Sequence, residues 1–458
     1  MTVDTLYASI NGVHVGELRR GAGGLLSFTY APTWLTDARA TPISLSIPLG
    51  RREANGPAVQ HYFAGLLPDR DDVRALLRRT LSARSERPFD LLAAMGRDCV
   101  GALELSEVAP HDVAVEVTAR APMRDRRPGP SAQEGAPLGT RLTRAQVAKR
   151  LAQLGEFPLG MGEADVFRLS LAGAQSKTAL LLHEGVWYAP TPPTPSTHIL
   201  KPQMGVLEVP RGRVSMHDSV ENEWLCLRLL SALGLPTATC TIETFARQRV
   251  LSVERFDRKL RGQDGAASFV RFPQEDLCQA LGVSPHDKYE SDGGPDIPTC
   301  MELLGRVSTA PDEDRRVFFT AQLAQLLLAA PDGHAKNYSL FLLPGGRASL
   351  TPLYDVLSAY PMVARGEWPV QRVDLAMSFR GKSKHYRWRD VRMDHVRQTA
   401  ERCRVTRETV DGWIADLLAR VPRALAATRR ALPRRFPPEV ADPIFEGVTK
   451  AAARFGLP

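Results

Sequence analysis

The sequence predicts an α+β protein with a β-rich N-terminal unit, a mixed centre and a mainly helical C-terminal part. Three observations carry this. Apolar and polar residues alternate near the N-terminus, as at Leu6, Ala8 and Ile10, which is the period of a strand with one buried face. Strand-like and helix-like segments then alternate from Phe167 to Glu254. Beyond Val317 the pattern is helical apart from one hairpin. The 458 residues are enough for roughly three domains.

In the first hundred residues, Asn11-Gly12 separates two alternating runs, the second at Val13 and Val15, which is a hairpin signal. Leu26, Phe28 and Tyr30 predict another strand, as do Ile43, Leu45 and Ile47. Val73, Leu76, Leu77 and Leu81 have helical spacing, and Phe89 to Met95 forms a further apolar helix that Gly96 ends. These elements make a β-rich accessory domain over residues 1–108. The stretch 109–141 holds Pro110, Pro122, Pro128, Pro130 and Pro137 with Arg124, Arg126 and Arg127. It buries too little apolar surface to offset its ordering entropy and reads as a linker or loop.

A helix is expected from Thr143 to Leu154, and strands at Phe167–Leu171, Thr178–Leu182, Thr197–Leu200 and Val250–Glu254. Val220 to Leu233 reads as an amphipathic helix closed by Gly234 and Pro236. Residues 142–258 thus form one mixed lobe and 259–458 a helical one. In the latter, Val317–Ala330 is apolar on nearly every side and should lie in the core. Tyr338–Leu343 and Ala348–Leu353 pair around Pro344-Gly345-Gly346, and Met393–Leu432 is helical and basic.

Composition narrows the class. Hydrophobic residues are 43% and charged residues 24%, which excludes a disordered or fibrous chain. The net charge of +8 permits an acidic partner without demanding one. Cys99, Cys226, Cys240, Cys278, Cys300 and Cys403 are scattered singly, so neither a zinc site nor a disulfide framework is expected, and a reducing cytoplasm fits. Met1–Ile10 lacks the character of a secretory signal. The most apolar stretch, Phe318–Ala330, carries Gln322 and Gln325 and is too short to span a bilayer, so no membrane association is expected.

The strongest chemical pattern is Asp332-Gly333-His334-Ala335-Lys336-Asn337, between the buried helix and the hairpin, with Tyr354-Asp355-Val356 on the hairpin's far side. A protein-kinase-type site needs these parts in this order. One Asp orients the nucleophile's hydroxyl, an Asn five residues on holds metal, and a second Asp holds metal against the phosphates. Mg²⁺ takes a few hard oxygens plus phosphate, which Asn337 and Asp355 would supply. Upstream, Ser170-Leu171-Ala172-Gly173-Ala174-Gln175-Ser176-Lys177-Thr178 joins two strand-like segments through small residues. Such a turn can bring backbone N–H groups to phosphate oxygens, although it is not a Walker A sequence. Lys201 ends the next strand, where a kinase lysine meets the α- and β-phosphates. Glu221 or Glu223 on the following helix is its candidate partner. Glu254-Arg255-Phe256-Asp257 lies where one lobe would pass into the other, and backbone groups there could hold adenine.

Assembled, these residues resemble the HipA family of bacterial serine/threonine kinase toxins. The resemblance runs from Phe167 to Pro361. It includes Phe-Arg-Leu-Ser-Leu-Ala-Gly-Ala-Gln-x-Lys-Thr from Phe167, Ser-Thr-His-Ile-Leu-Lys ending at Lys201 and Val-Glu-Arg-Phe-Asp-Arg from Val253. It continues with Gln-Glu-Asp-Leu-Cys-Gln from Gln274, Lys-Tyr-Glu-Ser-Asp-Gly-Gly-Pro from Lys288, and the two acidic motifs. Gly-Leu-Leu-Pro-Asp from Gly65 extends the likeness into the N-terminal unit.

The resemblance implies a two-lobed, protein-kinase-like fold, with ATP and Mg²⁺ as cofactors. Asp332 would be catalytic, and Asn337 and Asp355 would hold the metal. Ala172, Gly173, Ala174, Gln175, Ser176 and Lys177 would form the phosphate loop, with Lys201 on the phosphates. Glu254, Arg255 and Phe256 would lie at the adenine, with His334 and Tyr354 nearby. Ser170 matches the serine that the family autophosphorylates to switch itself off; Ser176 is a second hydroxyl in the same loop. The family's substrate is typically an aminoacyl-tRNA synthetase, the glutamyl enzyme, and its partner a HipB-like DNA-binding antitoxin. A small-molecule kinase and a catalytically silent DNA-binding co-regulator are the competing classes. The first lacks a clear acidic insertion to support it. The C-terminal arginines, such as Arg429, Arg430, Arg434 and Arg435, allow the second, but intact Asp332, Asn337, Asp355 and Lys201 argue against it.

Overall fold

The computed structural model describes residues 4–109, 138–161, 169–173, 175–209, 212–261 and 268–456. Most of the proline-rich stretch, Phe167 and Ala174 lie outside these residues.

The N-terminal alternation builds a five-stranded antiparallel sheet. Its spatial order is Glu53–Asn55, Leu26–Tyr30, Val13–Arg20, Thr5–Ile10, Leu103–Ser106. One face, with Leu6, Ala8, Leu18 and Phe28, is fully enclosed by Val59, Phe63, Leu91 and Leu92 from helices Pro57–Gly65 and Pro88–Met95. Gly96 caps the second helix as expected. Ile43, Leu45 and Ile47, read as a strand, form only an isolated Ser44–Ile47 bridge. The Tyr30 hydroxyl takes over their backbone, donating to Ile47 O and accepting from Ile43 N.

A second antiparallel sheet has six strands in the order Cys240–Phe245, Gln248–Glu254, His198–Pro202, Thr178–His183, Val186–Pro190, Gly139–Leu142. Its edge strand Gly139–Leu142 begins inside the stretch read as a linker; residues 139–141 pair with Val186–Pro190, and Leu142 packs into the core beside Val147 and Trp187. Thr143 then starts helix Arg144–Ala152 through a reciprocal capping box with Gln146. Leu169 to Leu171 is not a strand; Leu169 and Leu171 instead pack into the N-terminal core.

The helix Ser219–Ala232 is not amphipathic. Glu221, Asn222 and Glu223 are as buried as its leucines, each with a polar partner, as burial of such groups requires. The C-terminal part centres on Pro311–Leu328, buried from Val317 onward. Helices Ile297–Val307, Arg407–Arg430 and Pro438–Phe455 share its core. The hairpin Ser339–Leu343 with Arg347–Leu350 gains a third strand, Gln274–Asp276. All six cysteines are buried and free. No helix among the described residues is long and apolar enough to cross a membrane.

Candidate active site

The six-stranded sheet, the three-stranded sheet and the N-terminal domain line a cleft of about 1290 Å³, open solvent at its mouth included. Ala172, Gly173, Gln175, Lys177, Lys201, Glu254, Arg255, Phe256, Asp332, His334, Asn337, Tyr354 and Asp355 all line it. Ser176 is exposed and lines a neighbouring cavity with Pro68 and Leu159. Ser170 is fully buried beneath the loop, its Oγ donating to Leu66 O at 2.7 Å.

Asp332 lies four residues beyond the end of the buried helix at Leu328. Its side chain is 41% exposed, open to an incoming group. Tyr289 donates a hydrogen bond to Asp332 Oδ1 and fixes the carboxylate. Asn337 Nδ2 donates to Asp332 O at 2.7 Å, which closes the loop and leaves the amide oxygen available to a cation. A Cβ at Gly333 would meet Gln325 Oε1 at 1.7 Å, so a larger residue would displace the buried Gln325 side chain. His334 is buried edge-on against Tyr289, with ring centroids 4.9 Å apart. Burial lowers its pKa and outweighs the nearby Asp332 charge, so the ring is neutral near pH 7.

The hairpin returns the chain to Asp355, whose φ of +59° is unfavourable for a side-chain-bearing residue. Lys201 Nζ donates to Glu223 Oε1 at 2.7 Å and to Asp355 Oδ1 at 3.2 Å. Burial acts to raise the Asp355 pKa, but Lys201 and Lys177 outweigh it and hold the carboxylate ionised. The alternative left open on the helix is thereby resolved: Glu223 faces Lys201, whereas Glu221 pairs with Arg249 on a neighbouring strand.

Lys177 is buried and donates to Ala172 O, tying the two ends of the candidate phosphate loop together. Burial and then the neighbouring Lys201 push its pKa down to about 8. Gly173 has a φ of +102°, and a Cβ there would lie 2.5 Å from Lys177 Nζ, so the loop needs glycine at this point.

At the inter-lobe strand end, Val253, Phe256, Ile199 and Val100 give the cleft an apolar wall. Glu254 is exposed. The Arg255 guanidinium is engaged elsewhere, donating to Asp257, Ser196 Oγ and Cys99 O. It belongs to a buried set in which Arg255, Arg258 and Arg271 meet Asp98, Asp257 and Glu104. This set ties the inter-lobe segment to the N-terminal domain.

Lys288, Asp276 and Asp69 line the cleft and Tyr289 stands behind Asp332, yet the sequence assigns none of them a role. Tyr289 and Lys288 come from one quoted motif, Asp276 from another and Asp69 from the N-terminal one. The signal they share is membership in the motifs that carry the family resemblance; their partners lie far along the chain. No group of three His, Cys, Asp or Glu side chains suited to a metal occurs among the described residues. Asn337 and Asp355 therefore fit a cation only with phosphate oxygens completing its shell, as Mg²⁺ accepts.

Comparison with known proteins agrees with this arrangement. The HipA-like C-terminal domain matches residues 169–425 and the HipA N-terminal domain matches residues 6–106. The Sinorhizobium fredii protein named "Putative kinase Y4mE" is 35% identical over 363 residues, 79% of each chain. The Serine/threonine-protein kinase toxin HipA of Shewanella oneidensis is 29% identical over 364 residues, 76% of this chain and 74% of that one. A chain in the solved complex of Shewanella oneidensis HipA, HipB and operator DNA has the same fold, with a TM-score of 0.73 at 22% identity, covering 98% of this chain and 97% of that one. With one family domain spanning more than half of its length and the other its N-terminal sheet, this chain belongs to the HipA family.

Proposed function

We propose that this protein is an ATP- and Mg²⁺-dependent serine/threonine protein kinase of the HipA type. One observation carries the reading: Asp332, Asn337, Asp355 and the Lys201–Glu223 pair converge on one cleft. Each has a distinct task. The apolar wall around Phe256 and Val253 binds the base, with main-chain groups of Glu254 and Phe256 at its edge. Lys201 and Lys177 offset phosphate charge, and Glu223 keeps Lys201 extended into the cleft. Asn337 and Asp355 would hold Mg²⁺, which supplies charge neutralisation on the phosphates. Asp332 orients the acceptor hydroxyl and takes its proton. The new bond joins that oxygen to the γ-phosphorus; the bond to the β,γ-bridging oxygen breaks and ADP leaves. His334, neutral and beside Asp332, adds no competing positive charge to the carboxylate.

The acceptor in the cell is a protein hydroxyl, and the family points to an aminoacyl-tRNA synthetase, so that charging and translation stop. Ser170 is the self-acceptor, with Ser176 the competing hydroxyl. Autophosphorylation would expel the buried loop and silence the enzyme. A HipB-like antitoxin is the expected partner, by analogy with the Shewanella complex, and the bacterial cytoplasm the expected compartment. The test is transfer of label from γ-³²P-ATP to the purified full chain. Wild type should be labelled only with Mg²⁺, and Asp332→Ala should not be. Equal labelling of both would overturn the reading.

A further inference from the structure

The N-terminal domain reaches into the site through the segment from Gly65 to Asp69, which is held by both functional loops. From the catalytic loop, Lys336 Nζ donates to Gly65 O at 3.1 Å and lies 3.4 Å from Asp69 Oδ1. From the turn before Tyr289, Lys288 Nζ donates to Asp69 Oδ2 at 3.0 Å. From the phosphate loop, Ser170 Oγ donates to Leu66 O, and the Asp69 N–H donates to Gly173 O at 3.3 Å. Arg74 Nε anchors the segment to its own domain through Pro68 O at 2.6 Å.

Asp69 is where these restraints meet. Its side chain is 11% exposed, and it faces two ammonium groups of the C-terminal part while its amide holds the phosphate loop. Lys336 has a second carboxylate, Asp276, 3.6 Å away; Lys288 pairs with Asp69 at 3.0 Å. Without the Asp69 charge, two cations would face Lys177 and Lys201 across the cleft with less to offset them, and like charges drive apart in a poorly hydrated site.

We propose that Asp69 is a positioning residue that locks the phosphate loop over the catalytic loop, so that the nucleotide site is complete only with the N-terminal domain in place. The proposal rests on the kinase reading of the cleft. It is tested on the full chain with Asp69→Asn, Asp69→Glu and Lys288→Gln. Two measurements are made: hydrogen exchange in the peptide covering residues 169–173, and steady-state KM for ATP and kcat.

Asp69→Asn should speed exchange in that peptide by about tenfold or more and raise KM for ATP by a similar factor, as expected for loss of a charge-assisted pair. The change in kcat should be smaller. Asp69→Glu should recover much of both, and Lys288→Gln should move both in the same direction as Asp69→Asn. If Asp69→Asn does not fold, Lys288→Gln and Asp69→Glu decide the matter. Exchange and KM unchanged in a folded variant, or a fall in kcat alone, would overturn the proposal. A wild-type protein without ATP turnover would sink the kinase reading, while the exchange comparison would still decide whether Asp69 holds the loop.

Discussion

Replacing Ser170 by Asp sets a carboxylate against a carbonyl. In the closed loop the serine side chain has no exposure and its hydroxyl donates to Leu66 O at 2.7 Å. A carboxylate cannot donate, so the same position confronts two acceptors and buries a charge. Leaving a buried charge unpaired costs about 3–5 kcal/mol. The chain avoids this by releasing the loop, which removes Gly173 and Lys177 from the nucleotide. At about 1.4 kcal/mol per tenfold, even the lower bound predicts a fall in affinity of roughly a hundredfold. Ser170→Ala loses only one neutral hydrogen bond, about 1 kcal/mol, and should bind within about fivefold of wild type. Isothermal calorimetry with a non-hydrolysable ATP analogue and Mg²⁺ distinguishes the three proteins. Ser170→Asp binding within about threefold of wild type would refute the link between loop burial and nucleotide binding.

Three further outcomes follow from the same geometry. Glu223→Gln should raise KM for ATP, because Lys201 loses its 2.7 Å ion pair, whereas Glu221→Gln, off the cleft, should leave KM within about twofold; steady-state kinetics separates them. Asp98→Asn should cost roughly 3 kcal/mol in denaturant unfolding. Burial acts to raise the Asp98 pKa, but Arg255, Arg258 and Arg271 outweigh it and depress it. Its contribution is therefore present above the unfolded value of about 3.9 and is lost as pH falls through the folded value. The gap between wild type and Asp98→Asn should accordingly narrow in acid. Lys177, with a pKa of about 8, loses its charge as pH rises from 7 to 9, so ATP affinity should weaken over that range. Lys177→Arg stays charged and should flatten the profile in a pH series of binding isotherms.

Local signals in the sequence were enough for the hairpins, the capped helices and the order Asp332, Asn337, Asp355, since each rests on spacing of a few residues. Contacts between distant segments were not legible. Glu221 and Glu223 sit about 200° apart around a helix, and only packing against the sheet shows which one meets Lys201. Tyr289 meets Asp332, and Asp69 meets Lys336, across separations that no local pattern encodes. The helix Ser219–Ala232 looked amphipathic because polar residues usually face water; here Arg249, Lys201 and Ser358 satisfy them inside. Ile43–Ile47 alternates like a strand, but a tyrosine hydroxyl takes the place of a neighbouring strand.

The central claim is that this cleft transfers phosphate through Asp332, with the buried loop serine as its own acceptor. Phosphosite mass spectrometry of the full chain after incubation with Mg²⁺ and ATP tests it most directly. Phosphate at Ser170 in wild type and none in Asp332→Ala is the predicted result. Equal phosphorylation of the two proteins, or an unmodified wild type that shows no ATP turnover, would contradict it.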